Sequence, residues 1–444
     1  MVTRRRFLQG VGAAGLALGL ERCTARTGAV SAATGSGILV VVELDGGNDW
    51  LNALPPLAGA NRNAYDDARP TLGVPASSLL DLGGGVGLHP DFTGMDELWT
   101  AGRVAWIPGI GMDNPNLSHF VSADMWGQGA AVPDGSGWLG RFADRSFAPA
   151  DVLRGIAVTS DLPVMLRGRD RSFVSISSAS GFVYPASLRG DRLGSPWEAQ
   201  LLEDSFARAV SSRAVDVAAL LGPDGQAGYD AGAAAGLLFY DAQNGFGTDG
   251  TLPARTPRVA YPGDAAYPVR RLDGGNLSGA LSGQLKLVAR MLAAGVVAQV
   301  YFTRIGGWDT HANQAVDHPN LLRTLGGTLG AFYQDLASIP AAEGTMQDRV
   351  MVMAWSEFGR RVKENQGGTD HGTAGLSFCV GNALRGGFAG FGYPDLGRLD
   401  GNGNMLHTTD FRSLYATLLE RWLGLPPADT DTVLGRTYPR LGFL

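Results

Sequence analysis

Cysteine is nearly missing from this chain: two residues in 444, Cys23 and Cys379. That excludes a disulfide framework. Cys379 sits in the apolar run Leu376-Ser377-Phe378-Cys379-Val380 and reads as a buried small hydrophobe. Charge is sparse as well, with Asp, Glu, Lys and Arg at 18% against 45% hydrophobic residues. This is the balance of a globular protein, not of a disordered one. An excess of positive charge is lacking: the formal net charge is −6, so nucleic acid and anionic membranes are poor partners. No repeat or low-complexity tract marks an array. Nor is there an obvious membrane span. The uncharged run from Phe7 to Leu20 is too short for about 30 Å of hydrocarbon at ~1.5 Å per residue, and its glycines weaken a helix.

What is present begins with Thr3-Arg4-Arg5-Arg6-Phe7-Leu8-Gln9, an arginine pair directly before Phe-Leu. An apolar run and the small residues Ser31, Ala32 and Ala33 follow. This order predicts a twin-arginine (Tat) signal peptide over residues 1–32, cleaved between Ala32 and Ala33. Glu21-Arg22 does not suit a lipid-attachment box at Cys23. The expectation is a periplasmic or secreted chain, with the Tat translocase as a passing partner and no stable membrane span in the mature form. Residues 1–32 hold five arginines and one glutamate, so the remainder carries a formal −10. Its roughly 400 residues can bury a large core.

Hydrophobic patterning predicts strands at 38–44, 103–108, 296–303 and 349–355, and helices at 277–294, about 320–337 and 411–423. Strands alternating with helices indicate an α/β domain with a largely parallel sheet. Asp45, Asp309 and Glu357 each follow a strand closely, where ligands bind in such sheets. Residues about 133–275, rich in Gly, Ala, Ser and Arg, read as an insertion or cap.

Six histidines are available, and five stand within a few residues of an aspartate, a serine or another histidine. Trp308-Asp309-Thr310-His311 and Gly368-Thr369-Asp370-His371-Gly372 pair carboxylate with imidazole on predicted loops. Such pairs suit a divalent metal. Asp370 and His371 cannot share a strand face, but in a turn they can converge on one ion or bridge two. Ser118 is the candidate nucleophile, activated by a metal, because its neighbour His119 diverges from it. Ser118 also reads as the N-cap of a helix, which adds amide donors. Glu357 is a candidate ligand, general base or partner of Arg360 or Arg361. His407 completes a metal site or merely precedes the capping residues Thr409 and Asp410. Asp49 ligates or fixes the turn. His89 and His318, each before a proline, read as structural.

With Asp45-Gly46-Gly47-Asn48-Asp49, Asn114-Pro115-Asn116-Leu117-Ser118-His119-Phe120, Gly307-Trp308-Asp309-Thr310-His311, Glu357-Phe358-Gly359-Arg360 and Gly368-Thr369-Asp370-His371-Gly372 in view, the sequence resembles a family of Tat-exported bacterial proteins of unknown function. That family is similar to the alkaline phosphatase and sulfatase superfamily. The resemblance implies a doubly wound sheet sandwiched by helices, over residues 37–444, with two divalent ions at the strand ends. Zinc is the first choice, with calcium, manganese and magnesium as alternatives. It implies Asp45 as the first metal aspartate, Ser118 as nucleophile, Asp309 and His311 on one ion, Asp370 and His371 on the other, and His407 as the last ligand. Two departures stand out: Asp309 and His311 are closer together than the superfamily places them, and Ser118 lacks a Cys-x-Pro-x-Arg setting.

The leading expectation is a metal-dependent hydrolase of phosphate or sulfate esters, acting on a small anionic ester or an envelope polymer. The rival is an inactive binding protein on the same fold. Trp50, Trp106, Trp126 and Trp308 near the loops would then stack on sugars, or simply pack the core.

Overall fold

A computed structural model describes residues 37–148, 154–171, 173–175, 280–293 and 298–444. The signal segment and residues 176–275 of the expected cap lie outside the described residues. The strands are β1 (Ile38–Leu44), β2 (Leu80–Asp81), β3 (Gly87–Leu88), β4 (Val104–Gly111), β5 (Gly155–Ala157), β6 (Val174–Ser175), β7 (Val300–Ile305), β8 (Val350–Trp355), β9 (Gly359–Glu364), β10 (Thr369–Gly372), β11 (Gly375–Val380), β12 (Gly387–Phe388) and β13 (Thr409–Asp410). The α-helices of the described residues are α1 (Trp50–Ala53), α2 (Gly59–Ala68), α3 (Met95–Thr100), α4 (His119–Gln128), α5 (Trp138–Ser146), α6 (Ala280–Ala293), α7 (Gln314–Ser338), α8 (Phe411–Thr417) and α9 (Pro427–Leu434).

The β-branched run of β1 makes it the centre of a nine-stranded sheet, ordered β12-β4-β11-β8-β1-β7-β5-β6, with β13 also on β4. Val40 of β1 lies between Tyr301 of β7 and Val352 of β8, both in parallel register. Within the described sheet only β11 runs antiparallel to its neighbours, β4 and β8. The fold is therefore α/β with a mixed, mostly parallel sheet.

Every residue of β1 and β8 is buried, because helices cover both faces. Val40 and Val42 point into a core with Leu281, Leu285 and Val288 of α6 and Leu325, Leu329 and Phe332 of α7. Leu39 and Val41 point the other way, toward Trp138 and Phe142 of α5, Leu414 of α8 and Val433 of α9. This alternation is the period-two geometry of a strand buried on both sides. Among the described residues, no helix is long and apolar enough to cross a membrane.

Several expectations shift. Strands β5 and β6 extend the central sheet past β7, so that part of the 133–275 region is sheet edge and not cap. Helix α7 begins at Gln314, ahead of Pro319, which it carries inside. Asp370 and His371 stand on strand β10, paired with β9 in a separate antiparallel ribbon, not in a turn. The ribbon is irregular between Thr369 and His371, which frees the local alternation of side chains. The tryptophans 50, 106, 126 and 308 are at most 1% exposed. They pack the core and offer no stacking surface.

Candidate metal centre

Strands β1, β7 and β8 run in parallel and end side by side, so the segments leaving them meet at one edge of the sheet. Leaving β1, Asp45-Gly46-Gly47 turns sharply, with φ of +125° at Gly46 and +76° at Gly47. A Cβ at Gly46 would stand 2.5 Å from the Asp309 nitrogen. Only glycine permits both that backbone and that approach. The Gly46 N–H donates to Glu357 Oε1 at 2.9 Å, tying the β1 exit to the β8 exit.

Glu357 is 1% exposed. Besides Gly46, it meets His119 Nδ1 at 2.7 Å. His119 opens α4, and Ser122 one turn on donates to the Glu357 carbonyl at 2.6 Å. A carboxylate accepts, so Nδ1 of His119 carries the proton and Nε2 of the neutral ring is bare. That bare nitrogen faces Asp309 Oδ2 at 3.5 Å.

His371 repeats the arrangement. Its Nδ1 donates to the Leu117 carbonyl at 2.8 Å, which again leaves Nε2 bare in the neutral ring. This Nε2 lies 3.1 Å from Asp309 Oδ1 and 2.9 Å from His311 Nε2. The Phe358 ring packs against both imidazoles, with centroids 4.9 Å from His119 and 4.5 Å from His371.

Asp309 is the meeting point. Burial would raise its carboxyl, but the hydrogen bond and charge of Arg360 outweigh this and hold it at about 2. The Glu357 hydrogen bond raises His119 above its ordinary value, while burial lowers His371. One ligand atom each from His119, Asp309 and His371 falls within 4.8 Å of the others. Two bare nitrogens and an anionic carboxylate aimed at one point are mutually repulsive acceptors. A proton on His119 or a cation between them would offset that repulsion, and an Nε2–H of His311 donated to His371 would relieve part of it. The hydrogen bonds at each Nδ1 are those that orient metal-ligating imidazoles, so the residues fit a divalent ion of the zinc type.

The other candidates divide. His311 flanks the centre, with Nε2 3.2 Å from Asp309 and Nδ1 3.4 Å from Asp370. Asp370 accepts from Asn365 at 3.1 Å, which lowers its carboxyl. Asp45 is exposed, and burial of its carboxyl region together with Glu357 raises it. Ser118 is exposed at the N-cap of α4, its backbone N–H donating to Asn116 Oδ1 at 2.8 Å. His407 lies outside the cluster, with Nε2 3.8 Å from Asp113. Asp49 is fully buried and engaged by Arg69 and Gln314, which leaves no open side toward the cluster. Asp410 caps α8 by accepting from the Arg412 N–H.

Two residues were not legible as part of this site. Arg360 is 0% exposed and donates to the carbonyls of Gly47 (2.6 Å), Thr369 (2.8 Å) and Trp308 (3.1 Å), and to Asp309 Oδ1 (2.7 Å). It bolts three loops together and serves Asp309, not Glu357. Gln314 links two more segments, through Thr310 and Thr369. The one sequence signal was an arginine right after the glycine of Glu-Phe-Gly.

Residues 254–434 match the model of a family described as a protein of unknown function, DUF1501. The match spans under half of the chain. It includes Asp309, His311, Glu357, Arg360, Asp370, His371 and His407, and it leaves out Asp45, Ser118 and His119. No curated protein gives a significant match.

Proposed function

We propose that this protein is a metal-dependent hydrolase of phosphate or sulfate esters, working outside the cytoplasm after Tat export. The observation that carries the reading is the convergence of the His119 and His371 Nε2 atoms on Asp309. Zinc fits two imidazoles and a carboxylate, with an open position for water or substrate. When bound, such an ion lowers the pKa of a nearby hydroxyl and offsets charge on ester oxygens.

The protein's own residues do the rest. Glu357 and the Leu117 carbonyl fix the two ring tautomers through Nδ1. Arg360 keeps Asp309 ionised and in place. Ser118, exposed at the start of the ten-residue α4, is the nucleophile in this reading. The first turn of that helix presents unpaired amides and the positive end of its dipole to an anionic ester. His311 and Asp370, on the open flank, are where a second ion would be held.

Metal analysis of the mature protein, purified without chelator, tests this directly. We expect at least one equivalent of a transition metal, lost in His371→Ala, and ester hydrolysis lost in Ser118→Ala. A folded protein that takes up no divalent metal would overturn the reading and favour a binding role. Metal uptake with undiminished hydrolysis by Ser118→Ala would remove only the serine step.

A further inference from the structure

The two sequence pairs that meet at the centre arrive from different elements, Asp309 and His311 after β7, and Asp370 and His371 on β10. Something must set the distance between these segments. Their intervening and preceding residues are threonines, Thr310 and Thr369, and both are buried, at 3% and 0% exposure. Each hydroxyl donates to the same oxygen, Gln314 Oε1, at 3.1 Å from Thr310 and 2.7 Å from Thr369. The amide nitrogen of Gln314 donates to Asp49 Oδ2. Because a carboxylate accepts only, this contact fixes which end of the amide faces the threonines. Asp49 is itself clamped by Arg69. The backbone repeats the link: Thr369 N–H donates to the Thr310 carbonyl at 3.3 Å, and Gln314 N–H to the Gly367 carbonyl at 3.0 Å.

We propose that Gln314 is a positioning residue of the metal centre, its single amide oxygen registering the Asp309 loop against the His371 strand. The inference rests on the metal reading above. Gln314 touches neither the ion nor the substrate. It acts on ligand spacing, and metal–ligand distances tolerate shifts of only about 0.2 Å. Loss of such outer support weakens metal binding by about 10–100-fold.

The test is cobalt(II) titration of the full mature chain, read as affinity and as the visible absorption of the bound ion. Gln314→Met keeps the side-chain length and loses all three hydrogen bonds. Thr369→Val keeps the shape and loses one, while Thr369→Ser restores the hydroxyl. Tyr333→Phe, at the far end of α7, removes a hydrogen bond to Asn382 and serves as the control. We expect Gln314→Met and Thr369→Val to lose affinity and change the spectrum, and Thr369→Ser and Tyr333→Phe to match wild type. If Gln314→Met does not fold, the Thr369 pair decides alone. Wild-type affinity and spectrum in Thr369→Val and in folded Gln314→Met would overturn the positioning role while the metal reading stands. Equal losses in Tyr333→Phe would overturn it too, because the effect would then be general loosening. A wild-type protein that binds no cobalt would overturn both.

Discussion

Replacing Asp49 by asparagine keeps the shape of the side chain and removes its charge, which isolates what that charge does. In the native protein Asp49 and Arg69 are each 0% exposed. The guanidinium reaches the two carboxylate oxygens at 2.5 and 2.9 Å. Its remaining donors go to neutral acceptors, Val362 at 2.9 Å, Arg361 at 3.0 Å and Asn52 at 2.7 Å. In Asp49→Asn those acceptors remain, but the buried cation has no counter-charge in contact. Removing one partner of a buried pair costs about 3–5 kcal/mol. Unfolding entropy of ~2.1 cal/mol/K per residue, over roughly 400 residues, converts this to a Tm lowered by about 4–6 °C. Calorimetry and urea midpoints measure it, and the double variant Asp49→Leu/Arg69→Met should recover most of the loss, as apolar replacements of buried pairs do. In Asp49→Asn metal content should stay at the wild-type level, because the asparagine Oδ1 still accepts from the Gln314 amide. A Tm within about 1 °C of wild type, or metal lost at unchanged Tm, would refute the charge-pair account and return Asp49 to the list of ligands.

Burial holds His318 at about 3, below its ordinary 6.5. The unfolded chain therefore gains a proton first on acidification, and stability should fall below pH 6.5 by about 1.4 kcal/mol per pH unit. His318→Gln should flatten that slope in urea titrations between pH 7 and 5; an unchanged slope would place the acid sensitivity elsewhere. Glu357→Gln removes the charge that orients His119 and should weaken metal binding about 10–100-fold, measured by competition with a chromophoric chelator. Gly46→Ala forces a Cβ toward the Asp309 backbone at φ +125°. It should cost about 1–3 kcal/mol in strain, visible in thermal melts, and reduce metal uptake as well.

Much of this architecture is readable from residue patterning, and the exceptions share a cause. The run Ile38–Leu44 and the run Val350–Trp355 declare themselves because a strand buried on both faces needs an unbroken apolar stretch. Thr369-Asp370-His371-Gly372 carries no such signal. It is a strand because Thr369 is anchored from outside, by Arg360 Nη1 on its carbonyl and by Thr310 through its N–H. The start of α7 was hidden by Pro319, whose usual effect on a helix was overridden by packing. Within the site, Asp309, His371 and His119 stand out through the scarcity of histidine and its nearness to carboxylates. Arg360 and Gln314 do not, since their role exists only once loops from distant parts of the chain meet. Asp49 misleads for the complementary reason: an aspartate after a strand looks the same in sequence whether it faces a metal or a buried arginine.

The reversed direction of β11 has a consequence for where the ribbon can hang. Between parallel neighbours the chain must cross the whole sheet before re-entering it, usually through a helix, and it comes back at the opposite edge. Because β11 runs against β8, the chain leaving β8 at Trp355 can re-enter at Gly375 on the same edge. The ribbon β9–β10 occupies that short excursion. His371 is thus delivered within a few residues of strand re-entry, over the edge from which Glu357 and Asp309 also emerge. His371 pairs with Arg360 at the base of the ribbon, whereas the tip lies between Glu364 and Thr369, so a change in length at the tip would leave the imidazole and the register of β8 and β11 in place.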